Sequence, residues 1–382
     1  MASSSRADFG LLAPVIKELK HDDFFEVSVC EIGSHISRHP DGIQQLHATG
    51  VENLELSIDT YLEDSPKSKA SFVTTIIVDL TSYFSNNSTD AILILGDRYE
   101  TLAIAYAASL SDIPVIHIAG GDLTFGSIDD NYRHAITKLA KIHFVTNTDS
   151  HKRVLQLGEE IEFVKLSGSP GLDSINQTDF LSKDNLEELL SLKFHDHLIL
   201  VTFHPDSIHP RQIKEQVAEL ILALEQFLPN CTIVITGANY DTGYATINEM
   251  FTEFAARYPN LIRFVENLGS RNYFSLMKIA SVMVGNSSSG YYEAPSFGLP
   301  VVDLGDRQMG RIASELLCNV PVKSTEIVLK VRSAMNRKHM IVANPYGDGQ
   351  SAEKVKDFLK SLTIEKLKSS KKFTDISKKG QS

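Results

Sequence analysis

Short continuous apolar runs alternate along the chain with longer stretches in which apolar positions recur every three or four residues. The runs are predicted strands: Phe25–Cys30, Ala91–Leu95, Val115–Ile118, Ile142–Val145, His197–Thr202, Thr232–Thr236, Ile262–Val265, Ser281–Val284 and Val301–Asp303. Several of them, such as AILIL and LILVTF, carry no polar alternation, the mark of strands buried on both faces of a parallel sheet. Segments between them, such as Arg98–Leu110 and Arg211–Leu228, read as amphipathic helices. Repeated strand–helix–strand units predict doubly wound α/β domains.

The stretch SGSPGLDSINQTDFLSKD, Ser167 to Asp184, is rich in Ser, Gly, Asp and Pro and reads as a linker. It divides the chain into an N-terminal Rossmann-like domain, 1–172, and a C-terminal one, 173–363, whose last helix is SAEKVKDFLKSL. Two such domains predict an interdomain cleft, with ligands at the carboxyl ends of the strands. The remainder, 364–382, holds six Lys in nineteen residues and is expected to be a disordered tail. The opening SSRADFGLLAPVIKEL has the form of a loop and helix that follow a first strand, yet no strand precedes it. The first strand of the N-terminal domain is therefore expected to be missing, through N-terminal truncation.

Charge narrows the function classes. Among 382 residues, 37 Lys and Arg face 48 Asp and Glu, a net charge of −11. That balance argues against nucleic-acid binding, which needs a basic footprint. Cys30, Cys231 and Cys318 lie far apart and form no CxxC pair. Neither a disulfide framework nor a zinc site is expected, and the compartment reads as reducing and cytoplasmic. No apolar run approaches the roughly 18 residues of a membrane span, and MASSSRADFG has no apolar core for a signal peptide.

Four constellations carry candidate chemistry. In LGDRYE a strand ends and a helix begins; Asp97 is a candidate acid or base, or else a helix cap, and Arg98 a candidate phosphate clamp. In HIAGGDLTFGSIDDNYRHAITK a strand meets a glycine pair, a polar loop and a helix. Asp122 follows the glycines, and the helix spacing sets Asp129 with Arg133 and Asp130 with His134. VTFHP places His204 at the end of a strand, and TGANYD supplies Asn239 and Asp241. In VGNSSSGYYEAPSFGLPVVDLGDRQMGR a Gly-Asn-Ser-Ser-Ser-Gly loop opens a helix, a ready anion site. Ser287 and Ser288 are diphosphate candidates there, Glu293 a ribose partner and Arg307 a phosphate partner. No GK[ST] makes this loop a P-loop, and no HExxH or close His/Cys set suggests a metal.

Together RADFG, GDRYE, the GGDLTFGSIDDNYRHAITK block, the HP after a strand, and GNSSSGYYEAPSFGLPVV with GDRQ behind it resemble the hydrolysing UDP-N-acetylglucosamine 2-epimerase family, over almost the whole chain. The resemblance implies a GT-B fold with the nucleotide on the C-terminal half. It implies a UDP-sugar site of Arg6, Arg98, His204, Asn239, Ser287, Ser288, Glu293 and Arg307. It implies catalytic carboxylates at Asp97 and Asp129 with Arg133 beside them; Asp122 and His204 complete the set of proton-transfer candidates. Relatives can carry a Glu two residues after the His of the strand before the glycine pair; here that position is Ala119, which leaves either Asp122 in its place or a different acid–base assignment in this branch. The implied reaction turns UDP-N-acetylglucosamine and water into N-acetylmannosamine and UDP for sialic-acid synthesis, by elimination to a glycal. A close variant acts on UDP-2,4-diacetamido-2,4,6-trideoxyglucose, toward legionaminic acid. A GT-B glycosyltransferase and a non-catalytic UDP-sugar binder are the rival readings. No cofactor and no metal are expected, and a homodimer or homotetramer is.

Overall fold

The computed structural model describes residues 1–38, 41–59, 65–125, 127–205, 212–238, 243–337 and 340–375. The chain divides into two units: Met1–Leu123 with Ile128–Ser174 and the segment from Tyr346 onward, and Thr124–Ser127 with Ile175–Pro345.

The first unit runs β1 (Ala2–Ser3), α1 (Arg6–Lys20), β2 (Cys30–Ile32), α2 (Gly42–His47), β3 (Leu56–Ile58), α3 (Pro66–Asn86), β4 (Ile92–Leu95), α4 (Tyr99–Leu110), β5 (Val115–Ile118), α5 (Asp129–Leu139), β6 (Ile142–Val145), α6 (Thr148–Gln156) and β7 (Val164–Leu166). All its strand pairs are parallel, in two sheets ordered β1-β2-β3 and β4-β5-β6-β7. β1 lies against β4. The apolar run of β4 explains its placement: Leu93 and Leu95 face a core with Phe9, Leu12 and Ile16 of α1, while Ile92 and Ile94 face one with Ile76 and Leu80 of α3. A strand with both faces buried tolerates no polar alternation.

The second unit runs α7 (Asp173–Asn176, spanning the unit boundary), α8 (Lys183–Leu190), β8 (His197–Thr202), α9 (Ile213–Glu225), β9 (Cys231–Thr236), α10 (Tyr244–Arg257), β10 (Ile262–Val265), α11 (Gly269–Ile279), β11 (Val282–Gly285), α12 (Ser289–Tyr292), β12 (Val301–Leu304), β13 (Leu317–Val320) and α13 (Ser324–Met335). Its six parallel strands stand in the order β10-β9-β8-β11-β12-β13. Counted from β8, that is the 3-2-1-4-5-6 order of a doubly wound nucleotide-binding sheet. The order reverses between β8 and β11, and a crevice for ligand opens at such a point.

Several expectations are corrected. The first strand is not missing: the two residues of β1 fill its place, with the Cys30 amide donating to the Met1 carbonyl at 2.8 Å. The strand expected at Phe25–Cys30 forms instead at β2, because its ladder partners are Ala2–Ser3 and Leu56–Ile58. The last helix, α14 (Ser351–Lys360), is not part of the second unit. It packs on α1, sending Ala352 and Val355 into the core of Phe9 and Leu12. The Phe358 ring meets the edge of Phe144 at 5.7 Å. The stretch expected as a linker helps to hold α14: buried Asp173 accepts from the amides of Ser351 at 2.9 Å and Ala352 at 2.6 Å. Finally, the lysine-rich segment opens with α15 (Ile364–Leu367), and its described residues run on against the first unit. No helix of the described residues is long and apolar enough to cross a membrane.

Candidate functional site

In the first unit the polar residues gather past the carboxyl ends of β4, β5 and β6. Gly96, at φ 93°, turns the chain out of β4 and presents Asp97. Asp97 does not cap a helix: the cap position of α4 is Arg98, without a side-chain bond. Its carboxylate instead pairs with Arg133, one turn into α5. Arg133 is 3% exposed. It also pairs with Asp130 and donates to the Asp122 carbonyl at 2.6 Å. One cation thus ties three segments together: the β4 loop, the loop after the glycine pair and α5. The sequence spacing joined Arg133 to Asp129; the bond seen is to Asp130, three residues before it.

Asp122 is buried, and one of its oxygens accepts from Thr146 at 2.6 Å, Asn147 at 3.2 Å and Ser150 at 2.6 Å. Asn147 also caps α6, accepting from the amides of Asp149 and Ser150. In the glycine pair Gly121 is a steric requirement and Gly120 is tightly enclosed. A Cβ on Gly121, at φ 80°, would stand 2.6 Å from the Ser150 carbonyl oxygen, and one on Gly120 3.0 Å from the His117 ring. Ala119, at the position where relatives can carry a Glu, takes φ 65°, a left-handed conformation unusual for a side-chain-bearing residue.

Sequence reasoning missed two neighbours. Buried Asp8 lies beside Gly96, accepts from Ser4 at 2.7 Å, and is raised above the usual carboxylate range by burial. Its only signal was its place in RADFG. His117 points from β5 into the interior, with Nε2 2.8 Å from the Gly96 carbonyl oxygen. Burial pushes its pKa down to about 3, so it is neutral and donates from Nε2. Arg6 and Arg98 are exposed, and Arg98 pairs with buried Glu100 at 2.9 Å. Asp129 opens α5, half-buried.

In the second unit the groups collect at the β8/β11 reversal. Gly285 is obligatory: it takes φ 143°, and a Cβ there would run into the backbone of Thr202. The close approach lets Asn286 clasp the next turn, its Oδ1 accepting from the His204 amide at 2.7 Å and its Nδ2 donating to the His204 carbonyl at 2.9 Å. Arg307 and Gln308 donate to the Asn286 carbonyl at 3.1 and 2.8 Å. Burial and the Arg307 charge push His204 down to about 3. It is a neutral imidazole at pH 7, able to donate or accept a hydrogen bond but poorly suited to act as a general acid. Ser287 is buried and Ser288 half-buried at the start of α12.

Glu293 ends α12, and burial raises its pKa to about 6. Tyr273 of α11, absent from the sequence reading, reaches the same place, its hydroxyl 3.2 Å from the Thr202 hydroxyl. Burial raises it to about 12. Asn239 and Asp241 lie outside the described residues. Among the described residues no group of three or more His, Cys, Asp or Glu side chains is arranged to hold a metal ion.

The structure thus gathers Asp97, Asp122 and Arg133 in one unit, and His204, Ser287 and Arg307 in the other. Comparison with known proteins gives this arrangement a family. The model of the family described as UDP-N-acetylglucosamine 2-epimerase matches residues 17–360. The GDP/UDP-N,N'-diacetylbacillosamine 2-epimerase (hydrolyzing) of Campylobacter jejuni is 34% identical over 82% of this chain and 82% of its own. The Polysialic acid biosynthesis protein P7 of Escherichia coli is 31% identical over 98% of this chain and 96% of its own. Among solved structures, UDP-GlcNAc 2-epimerase from Neisseria meningitidis, bound to UDP-GlcNAc, superposes with a TM-score of 0.80 at 21% identity, covering 94% of this chain and 99% of that one. The fold is accordingly GT-B, with two Rossmann-like α/β units, and the chain belongs to the hydrolysing UDP-N-acetylglucosamine 2-epimerase family.

Proposed function

We propose that this enzyme is a hydrolysing UDP-sugar 2-epimerase that takes UDP-N-acetylglucosamine and water to N-acetylmannosamine and UDP. The observation that carries the reading is the buried Arg133 joined to Asp97 and to the Asp122 loop at the carboxyl ends of adjacent parallel strands. Such a place collects acid–base groups in doubly wound sheets. The C2 hydrogen of the sugar is unactivated. Elimination avoids a free carbanion: a base removes the C2 proton while the C1–oxygen bond to UDP breaks, leaving a C1–C2 double bond. Water then adds its oxygen to C1, and a proton returns to C2 on the opposite face. Asp97 is our candidate base, oriented by Arg133, and Asp122 and Asp129 are candidates for returning the proton.

The leaving diphosphate gains charge, which the Arg307 guanidinium and the backbone amides after Ser287 are suited to hold. Glu293 in its carboxylate form is a twofold acceptor for ribose hydroxyls, and neutral His204 a hydrogen-bond partner for the nucleotide. Arg6 and Arg98 are candidates for the diphosphate or sugar, and Asn239 joins the nucleotide set through the family resemblance alone. A cytoplasmic homo-oligomer supplying sialic-acid synthesis fits this chemistry.

A second substrate is favoured by the Campylobacter jejuni relative, whose name gives an N,N'-diacetylbacillosamine nucleotide. Both carry the 2-acetamido group, and the UDP form of the second has the same leaving group. A proton NMR time course in D2O with each nucleotide decides between them. Free UDP and a product deuterated at C2 are expected with the true substrate. Turnover of the diacetamido nucleotide alone would move the assignment, and binding of UDP without turnover of either would overturn the enzymatic reading.

A further inference from the structure

The segment after α14 returns to the first unit and closes on the far end of α5 from Asp130. Lys371 is its centre. The Nζ donates to the carbonyls of Lys138 and Ala140, each at 2.7 Å, and to that of Thr137 at 3.3 Å. These are the last carbonyls of α5, which a helix leaves without partners of its own. A cation there also meets the negative end of the helix dipole. The same Nζ lies 2.6 Å from Glu159 Oε2. Glu159 is buried and already bound to His143 of β6 at 3.0 Å and Lys138 of α5 at 2.6 Å. Its carboxyl is held down to about 2 despite burial, through those bonds.

The neighbours of Lys371 fasten it in place. The Lys372 amide donates to Glu160 at 3.1 Å, and the Thr374 amide to the Gly158 carbonyl at 2.9 Å. Phe373 lies against Gly158, where a Cβ would meet its ring. The Lys138 ammonium stands 5.0 Å from that ring.

A short path leads from this cap to the reacting end. Thr137, whose carbonyl Lys371 holds, donates its hydroxyl to the Arg133 carbonyl at 3.0 Å and lies 3.4 Å from His117 Nδ1. His117 in turn holds the Gly96 carbonyl, next to Asp97.

We infer that Lys371 is a positioning residue: it caps α5 from outside the Rossmann-like fold and so sets the rotation and seat of Arg133 against Asp97. This rests on the proposed reading only where turnover is concerned. It gives a lysine-rich segment of an acidic protein a specific seat on the first unit.

The test uses the full chain with Lys371→Met and Lys371→Arg, a chain ending at Ser370, and Lys366→Ala as control. Lys366 pairs with Glu162, away from α5. Hydrogen exchange is followed at the Lys138–Ala140 amides, alongside those of α13 in the other unit. We expect Lys371→Met and the shortened chain to speed exchange at the end of α5 about tenfold with α13 unchanged. In the same variants kcat should fall about tenfold while KM stays within about twofold, and Lys371→Arg should restore most of both. Lys366→Ala should match wild type in each. Faster exchange with unchanged kcat would overturn the positioning role, as would equal losses in α5 and α13. Should wild type turn over neither sugar nucleotide, the proposed function falls, and the exchange data still decide whether Lys371 holds α5.

Discussion

The polar groups of the first unit are bonded mainly to one another; those of the second are bonded mainly to backbone. Arg133 is held by two carboxylates, and Asp122 by three side-chain donors. By contrast Asn286 grips the His204 main chain, while Arg307 and Gln308 hold the Asn286 carbonyl. On the proposed function the difference sorts two tasks. A group that moves protons must be aimed to a fraction of an ångström, and mutual ion pairs in a buried setting do that at the cost of fragility. A nucleotide pocket needs shape and hydrogen bonds, which a clasped backbone supplies while leaving individual side chains replaceable.

Substitutions ought to break the two regions differently. The largest effect is expected at Asp97→Asn: turnover should drop by roughly a thousandfold or more, with UDP affinity preserved. Equal loss of both, measured by progress curves and calorimetry, would move Asp97 into the nucleotide site. Next is Arg133→Met, which removes a buried guanidinium from the half-buried carboxylates of Asp97 and Asp130 and should lower unfolding stability in urea by about 3 kcal/mol. Arg307→Ala in the second unit is half-buried and should cost UDP affinity while leaving stability within about 1 kcal/mol. If the two arginines behaved alike, the contrast between the units would fail.

A smaller effect distinguishes the second unit by pH. Glu293 carries a folded-state pKa of about 6, raised by burial. It should therefore lose its charge as pH falls through 6, and UDP should bind more weakly relative to a Glu293→Gln variant, by a few-fold between pH 7 and 5. Stability moves the other way. Because the folded form binds this proton more tightly than the unfolded chain, Glu293 contributes fully below its ordinary value near 4.5. That contribution is lost as pH rises through 6. Chemical denaturation of wild type and Glu293→Gln at pH 5 and 7 checks the sign. Smallest of all should be Glu293→Ala at pH 5, where the acceptor is already protonated; a full loss of affinity there would remove its tie to ribose.

How much of this was legible in the sequence follows from burial. Strands buried on both faces, such as β4, β8 and β9, announced themselves by unbroken apolar runs. The edge strands β3 and β13 are three and four residues long and largely uncovered, so they had little hydrophobic signal to read. The glycine-flanked loops revealed their candidates because an unusual backbone leaves a compositional trace. Tyr273 left none and Asp8 only its place in RADFG, since each depends on which segments meet after folding; the bond of Arg133 to Asp130 is a local three-residue contact within α5 that the four-residue spacing passed over. Likewise, the amphipathic pattern of α14 predicts a helix but not the surface it covers, and the lysines of the last segment look identical whether they face water or Glu159.

That α14 belongs to the first unit reverses the order in which the protein can be finished. The second unit occupies one nearly unbroken stretch, 175–345, and all its strands have been made before α14 exists. The first unit lacks the wall formed by Ala352, Val355 and Phe358 until that point. On the ribosome the later half of the chain completes its core first. The earlier half waits with Phe9, Leu12 and Phe144 incompletely covered, a stage at which nascent chains are exposed to misassociation and to chaperones. Synthesis runs from the amino end, but completion of the cores runs the other way.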